Sequence, residues 1–252
     1  MPHRAHDPAA PDHEGPDDAT AFVRALTRPA ATPFVPEVVL HVAAEPYGLW
    51  EATEDRSGVQ GAPPPFWAFP WPGGAALARH LLDAPAAVAG HLVVDLGCGS
   101  GLVSIAAALA GAAHVLALDL DPLALTATGL NAGLNGVTVG APPTGRLATA
   151  VADVVTMAHA PDDDPLVAAL LAADVVLAGD LFFERSLAAA TLAVLRRAAA
   201  GGAVVMAGDP GRTYLPPDTF TPVATFDVPV AAALEDAPVR RTRVLTLPRP
   251  TG

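Results

Sequence analysis

The feature that most constrains the fold is an alternation of continuous apolar runs with helix-like segments between residues 91 and 209. The runs are HLVVDLG, AHVLALD, a weaker one around 147–152, ADVVLAGD and AVVMAGD. Strands without polar alternation are buried on both faces, which is typical of parallel sheets covered by helices. FTPVATFDVPV and VRRTRVLTLP close the chain with no helix between them, which indicates an antiparallel strand at one edge. We therefore predict an α/β fold: a mostly parallel sheet with helices on both faces.

The remaining residues precede this alternation, and we predict three regions along the chain. Residues 1–18 lack apolar periodicity and are predicted to be a disordered tail. Residues 19–90 form an N-terminal cap segment that begins with a helix, continues through a polar loop at 52–65 and contains an aromatic motif ending in WPGG. Residues 91–252 form the main domain.

Composition excludes several function classes. The 252 residues carry a net charge of −12, which argues against nucleic acid as a partner. No apolar run approaches 18 residues, so we expect no membrane segment. The single cysteine, Cys98, excludes an internal disulfide and fits a reducing cytosol. The N-terminus has no apolar core for a signal peptide, so we expect a cytoplasmic location. No histidine and cysteine cluster supports a metal site.

The segment VVDLGCGSG lies at the turn between the first apolar strand and its helix. Gly97, Gly99 and Gly101 follow the spacing G-x-G-x-G, but Leu102 stands where the dinucleotide fingerprint needs glycine. Asp95 precedes the loop, and a carboxylate there suits a ligand that carries an amino group. Glycines at this spacing also fit a simple tight turn, so the acids that follow decide between the two.

Two further acids follow the next two strands. Asp119 ends a strand 24 residues after Asp95 and could accept both hydroxyls of a ribose. Asp153 either accepts a hydrogen bond from the amino group of an adenine or caps the next helix. A nucleoside and an amine in one ligand describe S-adenosylmethionine, whose sulfonium is stabilised by carboxylates and aromatic faces. The order strand, D-x-G-x-G-x-G, helix, strand and Asp favours this donor.

The segment FWAFPWPGG concentrates aromatic residues in a chain with few of them. We predict that Trp71 contacts the donor and the entering substrate, whereas Trp67, Phe66 and Phe69 pack; the alternative is a hydrophobic lid. Its two closing glycines let a helix begin close to the donor. Phe182 and Phe183, farther along the chain, line the pocket or belong to the core.

Asp180 follows the fourth strand, on the side where open α/β sheets bind ligands. It either attracts a target ammonium group or caps the helix that begins near Glu184. Asp209, Gly211 and Arg212 follow the next strand and either orient the target or form a turn.

Six segments together resemble one branch of the class I S-adenosylmethionine-dependent methyltransferases. They are PPPFWAFPWPGGAALARHLLD, VVDLGCGSG, ALDLDPLA, LNAGLNG, VVLAGDLFFE and AGDPGR. The branch is that of the electron transfer flavoprotein beta-subunit lysine methyltransferases, whose members occur in mitochondria and bacteria. The acidic N-terminus favours a bacterial member.

The resemblance implies a seven-stranded Rossmann-like sheet and methyl transfer to a protein lysine, with the flavoprotein beta subunit as partner. By this resemblance, the three loop glycines would lie along the methionine part of the donor and Asp119 would hold the ribose. Trp71 would flank the donor, and Asp180 would face the transferring methyl group. The alternatives are a small-molecule (nicotinamide-like) N-methyltransferase and a non-catalytic donor-binding protein.

Overall fold

The computed structural model describes residues 16–230 and 237–248, and all elements named here lie in those ranges. The strands are β1 (Arg28–Ala31), β2 (Val39–Val42), β3 (Leu92–Leu96), β4 (His114–Asp119), β5 (Leu147–Val151), β6 (Val175–Gly179), β7 (Val204–Asp209), β8 (Thr221–Pro229) and β9 (Val239–Thr246). The α-helices are α1 (Pro16–Leu26), α2 (Pro46–Ser57), α3 (Pro72–Asp83), α4 (Leu102–Leu109), α5 (Pro122–Leu134), α6 (Val154–His159), α7 (Pro165–Leu171) and α8 (Arg185–Ala200).

Seven strands form one sheet in the order β5-β4-β3-β6-β7-β9-β8. Strands β3 to β7 pair in parallel, and β9 runs antiparallel to both β7 and β8. The predicted α/β fold is confirmed, with the antiparallel strand lying one place in from the edge. The strand order reverses between β3 and β6, which is where ligands bind at the carboxyl ends of such sheets.

Successive residues of the central strands enter two different cores. Val93 packs with α3, α4 and α5 on one face, and Val94 packs with α6, α7 and α8 on the other. Leu177 and Val176 of β6 divide in the same way. Neighbouring residues of a strand point to opposite faces. A strand covered on both sides therefore reads as a continuous apolar run.

The N-terminal part is a mixed cap. Strands β1 and β2 form an antiparallel hairpin between α1 and α2. Trp67 and Phe69 pack with Val23 and Leu49 against α5, as predicted for these two aromatic residues. Trp67 is only 1% exposed. The aromatic segment is thus anchored in a small core of its own, beside the main sheet.

Two predictions for this part are wrong. Helix α1 begins at Pro16, so residues 16–18 are helical and do not belong to a tail; residues 1–15 lie outside the described ranges. Helix α2 occupies residues 46–57, where the sequence predicted a polar loop from residue 52. Leu49 is the buried residue of α2. A helix with so little apolar periodicity leaves almost no signal in the sequence.

Within residues 16–230 and 237–248, every helix is too short or too polar to cross a bilayer.

Candidate active site

A cleft of about 1140 Å³ opens at the carboxyl ends of the parallel strands. The cap segment, the glycine loop and the segments after β4, β5, β6 and β7 all line it. Six of the eight predicted site residues lie in its wall: Trp71, Gly97, Gly99, Asp119, Asp153 and Asp180. The tertiary structure therefore brings together residues that are more than 100 positions apart in the chain.

The glycine loop presents backbone to the cleft. Gly97, Gly99 and Gly101 have φ values of 63°, 53° and 77°, in the left-handed region that favours glycine. A Cβ atom added to Gly97 or Gly101 would overlap the side chain of Leu181 or Thr128, respectively. A Cβ on Gly99 would meet nothing nearer than the Trp67 Cα, at 4.0 Å. Gly99 thus faces open space, whereas the other two glycines allow close packing behind it.

Asp119 lies at the end of β4 beside this loop. Its Oδ2 accepts a hydrogen bond from the Gly99 amide at 2.8 Å, and its Oδ1 accepts one from the Asp121 amide at 3.0 Å. Burial raises the pKa of Asp119 above its ordinary value, and these amides oppose that rise. The Leu120 amide acts on this carboxylate in the same direction. Because Asp119 lines the cleft, its oxygens can also accept hydrogen bonds from the hydroxyl groups of a ligand.

Asp95 lies beneath the loop and does not line the cleft. It is 1% exposed, and its Oδ2 accepts a hydrogen bond of 2.6 Å from the Ser104 hydroxyl of α4. Burial raises the pKa of Asp95 to about 7. The carboxylate that the sequence assigned to a ligand amine instead ties β3 to α4. Gly101 also lies outside the wall of the cleft, at the N-terminus of α4.

Asp153 fulfils the capping alternative while remaining in the cleft wall. Its carboxylate accepts hydrogen bonds from the Val155 amide at 2.9 Å and the Thr156 hydroxyl at 2.7 Å. The bond from Thr156 is the main reason that the pKa of Asp153 is lowered. Capping of α6 holds this acid in place in the part of the cleft near the carboxyl ends of β4 and β5.

Asp180 lies in the cleft with an unusual backbone conformation and three hydrogen bonds to its carboxylate. Its φ is 57°, and the residue is 8% exposed. Oδ1 accepts hydrogen bonds from Arg212 Nη2 at 2.8 Å and Nε at 3.2 Å, and Oδ2 accepts one from the Gly74 amide at 2.9 Å. Burial raises the pKa of Asp180 to about 6, although Arg212 acts in the opposite direction. The alternative role as helix cap is wrong, because Glu184 caps α8.

The two WPGG glycines pack against the Asp180 carboxylate. A Cβ on Gly73 would overlap both the Asp180 carboxylate and the carbonyl oxygen of Gly208. The first turn of α3 therefore packs with its backbone against the ends of β6 and β7, and the Gly74 amide reaches Asp180. The sequence predicted that these glycines bring a helix close to the donor. The structure brings the helix to the acid that follows β6.

Three aromatic rings form a wall next to Asp180. The ring centroid of Phe66 lies 5.7 Å from that of Trp71 and 5.5 Å from that of Phe183. Trp71 Nε1 donates a hydrogen bond of 2.8 Å to the Phe66 carbonyl oxygen. Phe66 and Phe183 are 37% and 43% exposed, whereas Phe182 is buried against Phe220. Phe66, which the sequence assigned to packing, thus belongs to the cleft.

The sequence missed the wall that α1 and α2 contribute. Ala19, Thr53, Arg56 and Ser57 line this side, and the Arg56 guanidinium lies 4.8 Å from the Phe22 ring centroid. The last three lie in the part of α2 that was predicted as loop, so no signal identified them. Among the described residues, five acids and two arginines line the cleft: Asp119, Asp121, Asp153, Asp180, Glu184, Arg56 and Arg212. This excess of negative charge favours a cationic ligand.

S-adenosylmethionine fits these residues by three criteria. Gly99 leaves room for a ligand at the loop, the Asp119 carboxylate lines the cleft beside it, and the acidic wall suits a sulfonium and an amine. Among the described residues, no group of three or more His, Cys, Asp or Glu side chains is arranged to hold a metal ion.

Comparisons with known proteins place similar sequences among methyltransferases. Residues 77–183, less than half of the chain, match the family model of the ribosomal protein L11 methyltransferase (PrmA). A protein of Danio rerio named electron transfer flavoprotein beta subunit lysine methyltransferase is 38% identical over 151 residues, which cover 60% of this chain and 52% of that protein. The Homo sapiens protein of the same name is 34% identical over 178 residues, which cover 70% of this chain and 60% of the relative.

A ribosomal protein L11 methyltransferase of Edwardsiella ictaluri is 42% identical over 94 residues, or 37% of this chain and 26% of that enzyme. The chain spans about half the length of the curated relatives it matches first, such as the Danio rerio protein, of which it covers 52%. The PrmA match begins in α3 and ends at Phe183. It includes the glycine loop, Asp119, Asp153 and Asp180, so the similarity lies on the cleft described above.

Proposed function

We propose that the protein is an S-adenosylmethionine-dependent methyltransferase that methylates a lysine side chain of the electron transfer flavoprotein beta subunit. One observation carries the proposal: a single cleft joins the Gly99–Asp119 loop to the Asp180 carboxylate and its aromatic wall. The relatives named for lysine methylation of that subunit support the choice of substrate.

The donor half of the cleft is formed by the glycine loop and two acids. Gly97 and Gly99 would border the methionine part of the donor, Asp119 would hold the ribose hydroxyls, and Asp153 would accept a hydrogen bond from the adenine amino group; all four residues line the cleft. When bound, S-adenosylmethionine supplies an electrophilic methyl group on a sulfonium. The acids that line the cleft stabilise the positive charge of this ligand.

Asp180 prepares the target amine. A lysine has an ordinary pKa of about 10.4 and arrives as an ammonium group. The Asp180 carboxylate is ionised at neutral pH, because its pKa is about 6, and it attracts that cation. A carboxylate with a raised pKa is also a better proton acceptor than an ordinary aspartate. Asp180 thus orients the amine and takes the proton or passes it to water.

The aromatic wall suits the aliphatic stem of lysine. Phe66 and Phe183 are partly exposed at the cleft surface, and Trp71, which also lines the cleft, packs edge-on with Phe66. Aromatic faces accommodate both methylene groups and a positive charge. A long side chain that projects from a protein surface matches such a wall. Alignment of the amine in this way supplies much of the rate of a transfer reaction.

We place this activity in the cytoplasm of a bacterium. The single cysteine, Cys98, is buried and forms no disulfide. All fourteen Lys and Arg residues are arginine, which fits the codon usage of a GC-rich genome.

The test uses purified flavoprotein and labelled S-adenosylmethionine. We expect label in the beta subunit with the wild-type protein, and none with Asp180→Asn, which keeps the shape of the side chain. Asp218→Asn is the matched control, because Asp218 has the same left-handed backbone, with φ of 55°, but is exposed and lies outside the cleft. A parallel incubation replaces the flavoprotein with a bacterial extract. Label found only in the small molecules of that extract would refute a protein substrate and support the small-molecule alternative.

The absence of lysine from the chain removes one artefact from this experiment. The enzyme has no side-chain lysine amine of its own to methylate, so a labelled protein band reports the substrate. Binding of the demethylated donor to the Asp180→Asn variant, measured by calorimetry, verifies that this variant is folded. A protein that binds neither form of the donor would refute the proposal as a whole.

A further inference from the structure

An arginine contacts both residues that we place at the chemical end of the cleft. Arg212 donates two hydrogen bonds to Asp180 Oδ1, and its guanidinium carbon lies 5.8 Å from the Trp71 ring centroid. The side chains of Arg212 and Asp180 are only 16% and 11% exposed. An ion pair so little exposed is not weakened by solvent as a surface pair is.

The backbone of Arg212 is held by a turn at the end of β7. Asp209 Oδ1 accepts hydrogen bonds from the Gly211 amide at 2.6 Å and the Arg212 amide at 2.7 Å. Gly211 has a φ of 90°, which favours glycine. Asp209 itself is fully buried. The sequence AGDPGR thus builds a fixed support that points an arginine across to the end of β6.

The two oxygens of Asp180 are used differently. Oδ1 accepts two hydrogen bonds from Arg212, which fills both of its acceptor positions. Oδ2 accepts one from the Gly74 amide of α3 and lies against the backbone of Gly73. Donors from two distant segments therefore fix the orientation of this carboxylate, and the side-chain donors among them belong to Arg212.

We propose that Arg212 is a positioning residue: its paired hydrogen bonds fix the orientation in which the Asp180 carboxylate meets the target amine. The inference rests on the proposed role of Asp180 in the reaction. It assigns a function to the AGDPGR segment that differs from a simple turn, because the Arg212 side chain donates hydrogen bonds to the cleft acid.

The charged groups around Asp180 define the expected pH effect. Arg212 and Asp209 face it from the segment at the end of β7, with Arg243 of β9 acting on Asp209, and the Gly74 amide faces it from α3. Burial raises the pKa of Asp180, and Arg212 lowers it. Removing Arg212 therefore raises this pKa further. Because the reaction needs the ionised form, activity is then lost at a higher pH as the solution is acidified.

The experiment compares Arg212→Gln and Arg212→Lys with wild type in pH profiles of kcat and kcat/KM. We expect the acid limb of Arg212→Gln to move to higher pH and kcat to fall about 10- to 100-fold. Arg212→Lys keeps the charge but loses the paired geometry, so its limb stays near that of wild type while kcat falls. Arg196→Gln is the control, because Arg196 is exposed on α8 and lies outside the cleft wall.

A second readout needs no substrate. Carbon-13 NMR of labelled aspartate carboxyl groups follows the titration of Asp180, whose signal is assigned by its disappearance in Asp180→Asn. We expect it to titrate at higher pH in Arg212→Gln than in wild type. An unchanged titration would overturn the inference even if no methyl acceptor is found, whereas a shifted one would support it independently of the substrate.

Circular dichroism and binding of the demethylated donor show whether Arg212→Gln folds. If it does not fold, Arg212→Lys provides the test. Folded Arg212→Lys with reduced kcat and an unmoved limb supports positioning, and Arg212→Lys with the kcat of wild type overturns it.

Discussion

Gly73 and Gly74 offer a sharp test of how α3 approaches the end of β6. The two residues are adjacent, both lie in the first turn of α3, and both gain one methyl group when replaced by alanine. At Gly74 the new Cβ meets Val103 Cγ2 at 3.6 Å, an ordinary van der Waals contact. At Gly73 it meets Asp180 Oδ2 at 2.5 Å and also overlaps the Gly208 carbonyl oxygen. The first substitution has room, and the second does not.

The difference can be expressed as a change in stability. Gly73→Ala forces α3 and the strand ends apart, and overpacking of a well-packed site costs about 1–3 kcal/mol. Gly74→Ala replaces glycine in a helix by a residue of higher helix propensity, which changes stability by at most about 1 kcal/mol, in the stabilising direction. For a domain of this size, each kcal/mol shifts the Tm by roughly 2–4 °C. We therefore expect Gly73→Ala to melt several degrees below Gly74→Ala.

Turnover separates the two variants further. Displacement of α3 moves the Gly74 amide away from Asp180 and disturbs the carboxylate, and a misplacement of about 1 Å in an active site costs roughly 100-fold in rate. The assay is thermal unfolding followed by circular dichroism, together with methyl transfer at saturating donor. Equal melting temperatures and equal rates for the two variants would refute the close approach of α3 to β6 and β7.

Three further predictions concern residues beneath or beside the cleft. Asp119→Ala removes charge-assisted acceptors, each worth about 1.5–3 kcal/mol, so calorimetry is expected to show donor affinity at least about 10-fold weaker; unchanged affinity would contradict its role at the ribose. The folded pKa of Asp95, raised to about 7 from 3.8, lies above the unfolded value, so its contribution to the free energy of unfolding is full below about pH 4 and is lost as the pH rises to 7. Asp95→Asn, measured by urea unfolding of donor-free protein, is expected to gain stability relative to wild type over that range, and a constant difference would contradict the assignment. Buried Asn131 accepts from the His41 amide at 2.7 Å and donates to the Ser100 carbonyl at 2.8 Å, so Asn131→Ala is expected to lose about 1–3 kcal/mol in the same assay; wild-type stability would show that this link between hairpin and glycine loop is dispensable.

The main sheet was predictable because its central strands, β3, β6 and β7, are buried on both faces. Apolar runs such as those of β3 and β6 alternate with helices, and that pattern has few solutions other than a parallel sheet. The cap was harder to predict. Helix α2 has one buried residue, and strand β2 is held partly by Asn131 of α5 and by Asn135, which follows α5; their side chains donate to and accept from the backbone of β2. Structure that depends on distant partners leaves little periodicity in its own sequence.

The candidate site divides in a similar way. The glycine loop and Asp119 were recognisable because spacing and strand position are local properties. The hydrogen bond from Ser104 to Asp95, the placement of Phe66 in the wall of the cleft and the pairing of Arg212 with Asp180 were not. The roles assigned to the individual residues stay predictions until the variants are measured.

The sequence alone thus determined the strands of the parallel sheet and the positions of the glycines and acids at strand ends, because periodicity and backbone conformation depend on neighbouring residues. Only the tertiary structure decided which of those acids face a ligand, since a side chain at a strand end can point into the core or into the cleft. Asp95 and Asp180 illustrate the difference: one is bonded to a helix below the loop, and the other receives an arginine and a helix amide from segments far away in the chain.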